Sequence, residues 1–160
     1  MDFPLLFHHT VCGGLAAAGF GVLFNVGFRG LSWCAVSGAL MVAVRTVALG
    51  LGWSMEAASF GAALAGGILV QLLPSPIGVS RNALHLLGCI PMLPGGFAAK
   101  AILGLFAITA QHPVATNETL ITAVDNTLRV MFTVGALGIG LAIPTLLLRV
   151  SGMRPVAPPA

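Results

Sequence analysis

Between Leu5 and Phe24 the chain carries no charged side chain, and apolar stretches of similar length recur four more times before residue 150. A helix that crosses a bilayer needs about 20 predominantly apolar residues, so this spacing constrains the fold more than any motif. Charge is scarce throughout: Lys and Arg total 7, Asp and Glu total 4, and the mean hydropathy is +1.03. Charged residues make up 7% of the chain, against roughly 25% in a soluble domain. So few charges cannot cover a water-soluble surface. The expectation is an all-α, polytopic membrane protein of five transmembrane helices, with no room for a soluble domain.

The spans are expected at about 5–24, 31–50, 55–73, 83–110 and 123–149. Asp2 and Pro4 suit the start of the first, because a proline in the first turn removes an N–H that has no helical partner anyway. No basic region precedes this stretch, so it reads as a retained span and not a cleaved signal. Ser54 and Glu56 suit the start of the third, one as a cap and the other as a negative charge near the positive helix end. Pro74-Ser75-Pro76 ends it. The fourth stretch would be about 42 Å long as one straight helix, against a hydrocarbon core of about 30 Å. It also contains Pro91, Pro94, Gly95 and Gly96. A helix broken there is expected, one half ending near Ile90 and the second starting near Phe97. Gln111 to Thr122 reads as a polar loop, and 151–160 as a disordered, proline-rich cytoplasmic tail.

Five spans separate the charges by sign. Arg29, Arg81, Arg149 and Arg154 fall on one side, and Asp2, Glu56, Glu118 and, at the boundary, Asp125 fall on the other. The positive-inside rule then puts the N-terminus outside and the C-terminus in the cytoplasm. The basic residues are scattered singly, which speaks against nucleic-acid binding. Cys12, Cys34 and Cys89 sit alone within apolar runs and read as packing residues. Small residues at four-residue spacing, Gly13/Ala17/Gly21, Ala62/Gly66 and Ala136/Gly140, would let helix backbones approach closely.

No nucleophile elbow, HExxH, phosphate-binding loop or paired carboxylate set is present, so no enzyme, cofactor or metal site is expected. Adjacent His8 and His9 point to different helix faces, while His85 and His112 stand alone. Three cations remain inside the spans, where ionisable groups are costly and face a protein interior, a cavity or a partner. Arg129 can pair with Asp125 one helical turn away, and Arg45 can snorkel outward or meet Glu56. Lys100 has no visible partner, which points to an anionic substrate or an acid on another chain. The Pro91 to Gly96 break is the second informative feature. Irregular backbone at membrane depth is tolerated where it is buried or lines a cavity, and broken helices bind ions and carboxylates in secondary transporters. A plain proline kink is the simpler reading.

The run Gly19-Phe20-Gly21-Val22-Leu23-Phe24-Asn25-Val26 followed by Arg29, the Ala58-Ser59-Phe60 start of the third span, and Ile90-Pro91-Met92-Leu93-Pro94-Gly95 together resemble the C-terminal membrane half of the threonine/serine exporter family. Over about residues 10–150 the chain is similar to the small subunit of the split type, as in the succinate exporter pair. The resemblance implies export driven by an ion or proton gradient, together with a larger membrane subunit of the same family. The expected function is thus a subunit of a heteromeric secondary transporter exporting a small carboxylate such as succinate. A dicarboxylate suits the surplus of cations, whereas a zwitterionic amino acid would also want an acid for its ammonium. A threonine/serine exporter subunit, or a non-transporting scaffold subunit, are the alternatives. The candidate substrate contacts are Lys100, Arg45, Pro91, Pro94, Gly95, Gly96, Asn25 and Arg129. The expected partners are the larger subunit, a small anionic metabolite and the lipid bilayer.

Overall fold

A computed structural model of the chain describes residues 3–72, 79–110 and 117–150. Six α-helices follow in order: α1 (Phe3–Leu23), α2 (Phe28–Gly50), α3 (Met55–Leu72), α4 (Arg81–Cys89), α5 (Gly95–Thr109) and α6 (Asn117–Val150), with a 3-10 turn at Ile90–Met92 between α4 and α5. The Pro74-Ser75-Pro76 stop, His112 and the tail lie outside the described residues.

Local chemistry sets the boundaries. At the end of α1, Asn25 takes a left-handed conformation (φ 56°). The Val26 N–H bonds the Gly21 carbonyl at 2.9 Å and the Asn25 N–H bonds that of Val22 at 3.0 Å. This is a Schellman cap, which satisfies carbonyls that the ending helix leaves without donors. Asparagine tolerates that conformation better than most residues. Ser54 and Ser80 cap α3 and α4, each hydroxyl accepting from the backbone N–H three residues on, at 3.2 Å. Polar residues delay α6 less than the sequence suggests. It begins at Asn117, inside the expected Gln111 to Thr122 loop, with Glu118 in its first turn beside the positive helix end.

The helices α1, α2, α3 and α4 form one bundle around Cys34, Met41, Ala62, Leu84, Leu87 and Met92. Small residues make its seams. Gly38 of α2 lies against Ala17 and the Gly13 carbonyl of α1, and Gly21 lies against Cys34. Gly66 of α3 faces Met41 of α2. Further along, Gly140 of α6 meets Ala63 and the Phe60 carbonyl. Cys34 and Cys89 are buried, and the Cys89 thiol lies 3.7 Å from the Met41 sulfur.

At 34 residues, α6 is about 51 Å long at 1.5 Å per residue and acts as a spine. Its later half packs on α3, while its first half packs on α5, which has no comparable contact with any other helix. Among the described residues, α1, α2 and α6 are each long and apolar enough to cross a membrane, and the bent pair α4–α5 makes a fourth if taken as one span. The apolar stretch of α3, Met55–Gln71, is shorter. The fold is therefore all-α and polytopic, with three to four long apolar helices.

Candidate functional site

The break between α4 and α5 follows from two prolines. Pro91 has no N–H to offer the Leu87 carbonyl, and Pro94 cannot continue the turn that Pro91 begins. The chain tightens to 3-10 geometry at Ile90–Met92, the Leu93 N–H bonds the Ile90 carbonyl at 3.1 Å, and α5 starts at Gly95. The two segments are bent by 58°. Met92 and Pro94 are buried, whereas Gly95 and Gly96 are exposed and a side chain at either would meet nothing within 4 Å. Neither glycine is required by packing.

Three side chains fasten the α4 side of the break to the bundle. Ser37 donates to the Leu84 carbonyl at 3.2 Å. His85, fully buried, bonds the Ala63 carbonyl through Nε2 at 2.8 Å, which fixes the proton on that nitrogen. Its Nδ1 finds no partner among the described residues. Arg45 donates from Nη1 to the Met92 carbonyl at 2.9 Å. That carbonyl ends the 3-10 turn, and Arg45 supplies the donor that the interrupted helix cannot.

The eight sequence-derived candidates are thus distributed over several places. Pro91, Pro94, Gly95 and Gly96 form the break, and Arg45 holds its last carbonyl and neither snorkels outward nor meets Glu56. Arg129 pairs with Asp125 at 2.8 Å, one turn away on α6, and its guanidinium sits 5.9 Å from the centre of the Phe97 ring at the start of α5. Asn25 belongs to the cap of α1. Lys100 is exposed and lies in a groove between α5 and α6.

That groove is open, has a volume of about 440 Å³ and is lined by Lys100, Gly104, Glu118, Thr119, Thr122 and Asn126 among others. Gly104 lets the two helices come together, since a Cβ there would stand 2.8 Å from that of Ala123. Glu118, Thr122 and Asn126 recur every four residues and so form one polar stripe along α6. The polar composition of 111–122 reads as a loop in the sequence, which hides Glu118 and Thr122 as members of a helix face shared with Asn126. The spacing itself was the available signal. Lys100 and Glu118 line the groove from opposite helices without closing into an ion pair. Among the described residues, no three His, Cys, Asp or Glu side chains are grouped to hold a metal ion.

A polytopic helical bundle with a helix interrupted by prolines, and a groove carrying both signs of charge, has the parts of a small-molecule transporter. The chain belongs to the family described as Threonine/Serine exporter, ThrE, whose profile matches residues 9–147. No solved structure matches the chain. Membership puts it among multi-pass membrane transport proteins and not among enzymes, consistent with a bacterial inner-membrane location. It also overturns the expected export of succinate or another dicarboxylate, since the family is one of amino-acid exporters. The physical reason lies in where the cations sit: Arg129 is paired with Asp125, Arg45 donates to a backbone carbonyl at the break, and of the three only Lys100 lines the groove. Glu118 lines the same groove, so Lys100 has an acid as a neighbour there.

Proposed function

We propose that this chain is a membrane subunit of a threonine/serine exporter. It would cross the inner membrane five times, with α4 and α5 as one broken span, and work with a larger membrane subunit. The family match over residues 9–147 carries this reading. Resemblance to the split type within that family supports the partner. The crossing number is supported by the charges: Arg29 and Arg81 begin helices at one end of the bundle, while Glu56 and Glu118 begin helices at the other. With five crossings the arginine end is cytoplasmic and the N-terminus periplasmic.

Two measurements test this. Cells loaded with threonine- or serine-containing dipeptides should release the free amino acids faster when the chain and its larger partner are expressed together than with either alone. Equal release in all cases removes the exporter reading. For topology, a reporter active only in the periplasm should work when fused before Phe3 and fail in the Asn25–Gly27 turn; the reverse pattern removes the proposed orientation.

A further inference from the structure

We infer that the groove between α5 and α6 is the site at which the exporter binds its amino acid, with Lys100 taking the α-carboxylate, Glu118 the α-ammonium, and Thr122 with Asn126 the side-chain hydroxyl. This rests on the proposed export function and names the site within this chain.

The arrangement has the chemistry that a hydroxyl-bearing zwitterion requires. An ammonium from α5 and a carboxylate from α6 line one groove and, among the described residues, are not paired with each other. Each is left to make a charge-assisted hydrogen bond, which is roughly twice as strong as a neutral one. Glu118 and Asn126 lie about 12 Å apart along the helix axis. Thr122 stands between them on the same stripe. Asn126 is 5% exposed and so brings an almost buried amide, with both donor and acceptor, to the wall. Leu103 and Ala123 add apolar surface beside the polar stripe. The groove is open on one side, and its volume of about 440 Å³ has room for a single amino acid.

The same groups set selectivity. A dicarboxylate would bring its second carboxylate against Glu118, where like charges repel. Valine has nearly the shape of threonine but no hydroxyl, so it would leave the Asn126 amide without its partner. Sites built around a substrate hydroxyl reject analogues that lack it far more strongly than apolar pockets reject added or missing methylenes. The groove also lies on the contact between α5 and α6, so a ligand in it touches both the broken segment and the spine.

The test uses proteoliposomes holding the full assembly, this chain with its larger partner. Threonine, valine and 2,3-dihydroxybutyrate are compared; the last keeps the carboxylate and hydroxyl of threonine but has no ammonium. Wild-type protein should prefer threonine over both by at least tenfold in kcat/KM. Lys100→Met and Glu118→Gln should each raise the KM for threonine at least tenfold at unchanged protein content. Glu118→Gln should also lose the discrimination between threonine and 2,3-dihydroxybutyrate, whereas Lys100→Met should keep it. An unchanged KM for threonine in both variants overturns the groove assignment and leaves the exporter reading intact. A raised KM with discrimination preserved in Glu118→Gln means that Glu118 only shapes the groove, which also overturns it. Failure of the wild-type assembly to move threonine or serine overturns the exporter reading itself.

Discussion

A single methyl group added at Gly38 is expected to force α1 away from α2. The new Cβ would press on that of Ala17 and stand 2.8 Å from the Gly13 carbonyl oxygen, and Ala17 is fully buried. Both obstacles are fixed to backbone, so no rotamer change relieves the contact. Overpacking of this kind costs about 1–3 kcal/mol, and the rigid neighbours here favour the upper end. For a chain of this size that lowers Tm by roughly 5–10 °C. Gly66→Ala offers the informative comparison, because its nearest neighbours are the Cε, Cγ and Sδ atoms of the flexible Met41 side chain. It should cost less than Gly38→Ala. Gly19→Ala, with nothing within 4 Å, should cost nothing measurable. Thermal unfolding in detergent ranks the three, and a Gly38→Ala variant as stable as Gly19→Ala would show that the α1–α2 seam is looser than its geometry.

Arg45→Met is expected to cut export by about 10- to 100-fold while the protein remains in the membrane. The Met92 carbonyl loses its 2.9 Å donor, and no N–H from Pro94 or beyond takes over. A buried acceptor left unmade costs about 1–3 kcal/mol, and near the bilayer no water makes up the loss. The turn at Ile90–Met92 then has reason to leave the orientation in which it joins α4 to α5. If that orientation is needed in transport, the penalty appears in rate, where each 1.36 kcal/mol is a factor of ten. Arg45→Lys should recover part of the loss, since a flexible ammonium can reach the carbonyl but lacks the planar fork of donors. Efflux assays normalised to membrane content measure the effect. Wild-type export by Arg45→Met would reduce the arginine to a packing role.

What the sequence disclosed depended on how far apart the interacting groups lie along it. The proline break was legible because a missing N–H is a property of one residue. Arg129 with Asp125 was legible because one helical turn fixes their separation. The close seam at Gly13, Ala17 and Gly21 followed from residue size at four-residue spacing. The bond from Arg45 to Met92 spans 47 positions and ends on a backbone carbonyl, which no count of side-chain charges includes. That omission placed Arg45 among the substrate contacts, and the surplus of cations pointed to a dicarboxylate. Glu118, Thr122 and Asn126 were missed for a different reason. Polar side chains at a helix start resemble a loop in composition, and only their spacing on α6 shows a shared face.

The isolation of α5 bears on how the molecule deforms. Moving α2 or α4 sideways breaks seams with several neighbours at once, but α5 shares a substantial seam with α6 alone and joins α4 through a bend. The width of the space beside Lys100 is therefore set by a single seam, the one along which α5 lies on α6.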